Sequence, residues 1–181
     1  MVSEPRVVGL AQSGVHGFSK DPCGRLTLVE GLGVAGDAHE GHTVQHLSRI
    51  KVDPDQPNLR QVHLIHAELF DELAAKGFAL SAGDLGENVL TRGVDLLGLA
   101  EGTCLELGAS VIRVTGLRNP CKQIEAFMPG LLAEMIEKRP DGSLIRKCGI
   151  MAVVVRGGAV AVGDPIEVRS PEGEHQPLRP V

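Results

Sequence analysis

Between Arg6 and Val168 the apolar residues come in short runs closed by glycine or proline, not in helical stripes. Arg6–Gln12, Arg25–Glu30, Gln61–Ile65, Val89–Leu90, Thr103–Leu107, Ser110–Gly116, Gly149–Val155 and Ile166–Val168 each read as a strand, rich in branched residues or alternating in polarity. Gly108-Ala109 makes a hairpin of two of them. Gly157-Gly158 is read as a tight turn that sends Ala159–Ala161 back along the strand before it. Two stretches carry helical periodicity. Ala67–Lys76 has a stripe of Leu69, Phe70, Leu73 and Ala74 and a closing Gly77. Pro129 to Lys138 buries Leu131, Leu132, Met135 and Ile136, with proline in its first turn and Lys138-Arg139 at its end. Many strands, few helices and no βαβ alternation predict a mainly β domain, closed or barrel-like, with peripheral helices. A length of 181 residues suits one domain, with its core over about 6–168 and a polar, proline-bearing tail over 169–181 expected to fray.

Composition excludes several functions. There are four Phe and no Trp or Tyr, so no aromatic platform for single-stranded nucleic acid can be built. A formal charge of -5 argues against a nonspecific phosphate-backbone binder. No apolar stretch approaches membrane-spanning length, and Met1–Leu10 has no signal-peptide core. Cys23, Cys104, Cys121 and Cys148 lie far apart with no CxxC pair, which disfavours a zinc ribbon and fits free thiols in a reducing cytoplasm.

Candidate chemistry is concentrated in five places. The strand Val111–Leu117 breaks at Arg118-Asn119-Pro120, and Cys121 follows at once. Proline excludes helix for Asn119, so a thiol is delivered on a constrained turn between Arg118 and Lys122. Positive neighbours favour a thiolate, the nucleophilic and metal-binding form; the competing reading is a buried, inert cysteine. The loop Ser13–Pro22 carries His16, Ser19 and Lys20, a set that suits either an anion or a solvated turn. Gly31–Gly41 is glycine-rich, but it lacks a P-loop ending and has no following helix for a dinucleotide fold. Six histidines (His16, His39, His42, His46, His63 and His66) fall close together in sequence. Asp37, His39 and His42 could hold a hydrolytic metal, or the histidines could bond within a polar loop. Ser48–Arg60, with Pro54 and Pro57, reads as a surface loop of lid or binding type.

Three segments in order, Gly36–Gly41, Arg60–Leu64 with Gly83–Val89, and Thr115–Cys121, followed by Gly163-Asp164-Pro165-Ile166, resemble the MOSC family, named for the C-terminal domain of molybdenum cofactor sulfurase. The resemblance covers roughly 6–168 and extends to standalone bacterial YiiM-like proteins, which carry a helical C-terminal extension where this chain has a short polar tail. It implies a MOSC or pyruvate kinase β-barrel-like fold and a pterin-bound molybdenum cofactor (molybdopterin). It implies for Cys121 either persulfide transfer or molybdenum ligation, and for the reductase branch the reduction of N-hydroxylated compounds. By the same resemblance Lys20, Arg60 and Arg118 would meet the pterin phosphate, with Ser19 and Asn88 as hydrogen-bond donors and His39 in the cofactor-binding set. Pyridoxal phosphate binding is a property of the full sulfurases, whose desulfurase domain has no counterpart here. With no iron–sulfur or flavin motif, a reductase would need an electron-transfer partner. A carrier would meet cofactor-biosynthesis proteins instead, and self-association stays open. The alternatives are a noncatalytic cofactor carrier and the Asp37/His39/His42 hydrolase.

Overall fold

The computed structural model describes residues 4–181. Strands β1 (Arg6–Gln12), β2 (Asp21–Cys23), β3 (Arg25–Val29) and β4 (Gly33–Val34) precede a single helical turn, α1 (Leu47–Ile50). Then come β5 (Val62–His66), α2 (Ala67–Ala75), β6 (Val89–Arg92), a 3-10 turn at Leu96–Gly98, β7 (Cys104–Leu107) and β8 (Ser110–Leu117). After Cys121 follow α3 (Lys122–Phe127), α4 (Leu131–Glu134), β9 (Ile136–Lys138), β10 (Leu144–Arg146), β11 (Ile150–Arg156), β12 (Gly158–Ala161) and β13 (Ile166–Arg169).

The main sheet has eight strands in the order β13-β7-β8-β11-β5-β6-β1-β2, and a three-stranded sheet has the order β12-β3-β4. One core lies between the two sheets. Leu26, Leu28, Val34 and Val160 from the small sheet meet Val62, Leu64, Ile112, Val114, Ile150 and Ala152 from the main one. The second core covers the other face, where Ile65 and Leu90 pack under Leu69, Phe70 and Leu73 of α2 and under Ile124, Leu131 and Met135. Each fully buried Leu or Ile contributes about 1.5–3 kcal/mol, so these two layers supply most of the driving force. β5 is covered on both sides, which is why Val62, Leu64 and Ile65 form a nearly unbroken apolar run. The β5–α2–β6 unit is the parallel crossover in a sheet whose other pairings are antiparallel.

Four expectations need correction. The main sheet is not closed into a barrel: its ladder ends at β13 and β2. The two sides approach through an isolated Arg6–Pro165 bridge and bonds such as Val7 N–H to Asp164 O at 2.9 Å, too few to make a ladder. The helix expected over Pro129–Lys138 is only Leu131–Glu134. Its last residues instead form β9, which pairs with β10 around Gly142 at φ 87°, and Ile136 is exposed. Ala159–Ala161 pairs with β3 and not with β11, completing the small sheet. The tail is not frayed: the Leu117 N–H donates to Arg179 O, the Val181 N–H donates to Leu117 O, and the Glu101 N–H donates to Gln176 O. Gly116 permits that docking, since a β-carbon there would collide with the Arg179 carbonyl.

Candidate functional site

β5 and β11 lie side by side, and their register places His63 opposite Met151. Both line the floor of a small cavity of about 90 Å³, whose walls include Lys20, His39, His46, Arg60, Asn88 and Arg118. A larger chamber of about 370 Å³ adjoins it and shares His39, His46 and Gln123. No carboxylate lines either chamber.

Lys20 arrives on the loop before β2. Its N–H donates to Gly83 O at 2.8 Å, and Gly83, at φ 90°, leaves room for this approach where a side chain would collide with the Lys20 carbonyl. The Lys20 ammonium lies 2.7 and 2.6 Å from the two oxygens of Asp37, and both side chains are almost fully buried. Asp37 also accepts from the backbone N–H groups of Ser13 and His39 and from the Asn88 amide. Burial pushes the Asp37 carboxyl up, but the His39 hydrogen bond and the Lys20 charge outweigh it and hold the carboxyl well below the usual carboxylate range. Burial likewise lowers Lys20, against the pull of Asp37. His39 Nδ1 lies 3.2 Å from Asp37 Oδ1 and 3.4 Å from the Lys20 ammonium, and the ring lines the cleft.

Arg118 leaves the end of β8 and crosses the floor. Its terminal nitrogen donates to Leu85 O at 2.5 Å and lies 3.3 Å from His63 Nδ1. His63 Nε2 lies 2.7 Å from Cys148 O, and a carbonyl accepts only, so Nε2 carries the proton and Nδ1 is the acceptor for Arg118. Burial and the Arg118 charge hold His63 well below the usual imidazole range, so it stays neutral. Burial, then Arg60, do the same to His46, lowering it to about 2. Arg60 is lowered to about 10 by burial and by the neighbouring Arg49 and Arg118.

Among the described residues neither Arg60 nor Arg118 pairs with a carboxylate. Arg60 Nε and His46 Nδ1 are buried without a hydrogen-bond partner. Two uncompensated guanidinium groups over a cavity of this size suit a phosphate-sized anion, which can accept bidentate bonds from both.

Cys121 is partly buried and sits at the start of α3, with its thiol 3.6 Å from Gln123 Oε1. Gln123 borders both chambers, whereas Cys121 itself lines neither and its side chain packs beside the second core. Cys148 is buried, and burial pushes its thiol up to about 12, so it is the inert cysteine.

The cleft therefore gathers Lys20, His39, Arg60, Asn88 and Arg118, and Cys121 reaches it only through its contact with Gln123. It does not gather Ser19, whose hydroxyl donates to Asp84 O at 2.7 Å and pins one loop to another. Nor is Asn88 a free donor. Its amide donates to Ala11 O and Asp37, and its carbonyl accepts the His63 N–H, so it braces the site. The Asp37/His39/His42 metal reading is not supported: among the described residues no group of three His, Cys, Asp or Glu side chains could hold a metal ion. Asp37 is taken by Lys20, and the His42 ring lies beside Gly31. Gln123, Met151 and the role of His63 were missed. The sequence signal for His63 was one polar residue inside an otherwise apolar buried strand.

The MOSC domain family matches residues 39–167, well over half of the chain. The YuaD protein of Bacillus subtilis superimposes with a TM-score of 0.72 at 25% identity, covering 94% of this chain and 98% of that one. YiiM from Escherichia coli gives 0.61 at 19% identity, covering 94% of this chain and 73% of its own. YiiM from Geobacillus stearothermophilus gives 0.61 at 16% identity, covering 98% and 78%. No curated protein matches this chain in sequence. No helix is long and apolar enough to cross a membrane among the described residues.

Proposed function

We propose, from the premise that this chain belongs to the MOSC domain family, that its basic cleft binds the molybdenum cofactor by the pterin phosphate and that Cys121 supplies the sulfur that meets it. The observation that carries this reading is the pair of guanidinium groups free of carboxylates, Arg60 and Arg118, in one cleft whose lining residue Gln123 lies 3.6 Å from the Cys121 thiol. The buried, unpartnered Arg60 Nε is the kind of donor a phosphate oxygen would satisfy. Arg60 and Arg118 would hold the phosphate. Lys20, committed to Asp37, adds little further charge, and the His39 ring lines both chambers. When bound, the cofactor supplies a thiophilic, redox-active metal, the kind of centre that soft thiolate ligands select. Cys121 serves as its protein thiolate or as the carrier of a persulfide sulfur, and both roles need the partial exposure it has.

The adjoining chamber favours catalysis over simple carriage. About 370 Å³ of space next to the thiol's neighbour Gln123 leaves room for a small substrate beside the anion site. Reducing an N-hydroxyl group to N–H takes up two electrons and two protons and releases water. The electrons would come from a redox protein partner, and His39 is placed to hold a proton.

The test is expression in a cofactor-producing host, with wild type and Cys121→Ser purified side by side. Elemental analysis should find molybdenum in the wild type. The Cys121→Ser variant should lose either the molybdenum–sulfur signal or a mass adduct of about 32 Da, one sulfur on a thiol. Equal molybdenum in both, with neither signal in the wild type, would remove Cys121 from the chemistry. Turnover of an N-hydroxylated substrate with a reduced dye separates reductase from carrier.

A further inference from the structure

We propose that His63 is the positioning residue of the anion site, its Nδ1 lone pair fixing the Arg118 guanidinium before the ligand arrives; this rests on the reading of the cleft as an anion site. His63 lies on β5, almost fully buried, and is held from three directions. Its backbone N–H donates to Asn88 Oδ1 at 3.1 Å, its Nε2 donates to Cys148 O at 2.7 Å, and its Nδ1 accepts from Arg118 at 3.3 Å. The Cys148 carbonyl is the element that sets the tautomer: by taking the Nε2 proton it obliges Nδ1 to be an acceptor. An imidazolium would turn an N–H toward the guanidinium and repel it. Only the neutral, Nε2-protonated ring can hold Arg118.

With Leu85 O as the second acceptor, one terminal nitrogen of Arg118 is clamped between a backbone carbonyl and a ring nitrogen. The rest of the guanidinium is left toward the cavity that Arg60 also borders. Ordering a long side chain costs entropy at the moment of binding, so an arginine held in advance binds an anion more tightly than a free one. His63 does this without contributing a charge.

Asparagine and glutamine separate the two ring nitrogens. The Asn amide oxygen stands near the position of Nδ1 and can still accept from Arg118. The Gln amide reaches the position of Nε2, keeping the bond to Cys148 O and losing the acceptor. The probe is inorganic phosphate, titrated calorimetrically at one pH and one ionic strength, with circular dichroism to confirm folding of each variant. His63→Gln should weaken phosphate binding about tenfold, the size of one hydrogen bond to a charged group. His63→Asn should stay within about threefold of wild type, a difference of less than one such bond. In an Arg118→Ala background His63→Gln should cause no further loss, because the interaction it removes is already gone.

Wild-type affinity in His63→Gln would overturn the proposal. So would losses from His63→Gln and Arg118→Ala that simply add, or a His63→Asn variant as weak as His63→Gln, since either would mean that His63 acts by packing. A wild-type protein that binds no phosphate would overturn the anion-site reading itself, and this inference with it.

Discussion

Replacing Asp37 by asparagine tests the electrostatic floor of the cleft. The change keeps the shape of the side chain and removes its charge. Lys20, whose side chain is 5% exposed, would then carry its charge with no counterion, and its partner is equally enclosed at 2%. Breaking a buried pair by removing one member costs about 3–5 kcal/mol, because the remaining charge stays desolvated. The asparagine would also put an N–H₂ in place of one carboxylate oxygen, facing either the Ser13 and Asn88 donors on one side or the His39 N–H on the other. With a urea slope of about 2 kcal/mol per molar, the unfolding midpoint should fall by about 2 M. The double variant Lys20→Met, Asp37→Asn should recover much of the loss, since the uncompensated charge leaves with its partner while one acceptor oxygen stays. The pH dependence has a definite sign. The folded Asp37 carboxyl lies below its ordinary value, so its contribution is complete at neutral pH. It disappears only as the solution is acidified below the ordinary carboxylate range toward the folded value. A midpoint shift under about 0.5 M for Asp37→Asn, or a double variant no more stable than the single, would refute the argument that this pair is a buried, mutually dependent unit.

Three other perturbations are independent of it. Iodoacetamide at mildly alkaline pH should label Cys121 and spare Cys148 until denaturant is added, because Cys148 is buried and its thiol is pushed up to about 12; peptide mapping reads the result. Glu87 is raised to about 7 by burial, despite the N–H groups of Gly83 and Leu85. Its stabilising contribution is thus present in acid and lost as pH rises through neutrality, so wild type should fall by about 3 kcal/mol relative to Glu87→Gln between pH about 4 and 8 in urea titrations. Gly149→Ala places a β-carbon against the Leu64 carbonyl at φ 81°, and it should lower stability by more than about 3 kcal/mol or prevent folding, as read by circular dichroism.

What the sequence disclosed follows the range of the forces involved. Strands such as Arg6–Gln12 and the Gly108 hairpin are local: residue type, period and a turn decide them, and they were legible. Helix α2 was legible for the same reason. The stretch 129–138 misled because Leu131, Leu132, Met135 and Ile136 fit a helical stripe, while the decisive signal was the Asp141-Gly142 turn that pairs β9 with β10. The partner of β12 and the docking of the tail depend on contacts far along the chain, which local pattern does not encode. In the site, Lys20 was read from the composition of its loop and Arg118 and Cys121 from the break after their strand, while Arg60 entered only with the family resemblance. That Lys20 is spent on Asp37, that Asn88 braces the site and that His63 orients Arg118 depend on three-dimensional neighbours and could not be read from spacing.

The place of β11 in the main sheet has a consequence for biosynthesis. Lys20, Arg60, His63 and Asn88 belong to the side of the main sheet that carries β5, β6 and β1, and His39 follows β4 of the small sheet, while Arg118 and Cys121 follow β8 on the other side. The strand between β8 and β5 is β11, residues Ile150–Arg156. A nascent chain emerging from the ribosome with its first 140 residues thus carries nearly every residue of the cleft and no cleft. Only when β11 inserts do the two arginines line one cavity, so the cleft cannot form until residues 150–156 have been made, and a product stalled before them would expose two unpaired strand edges to aggregation.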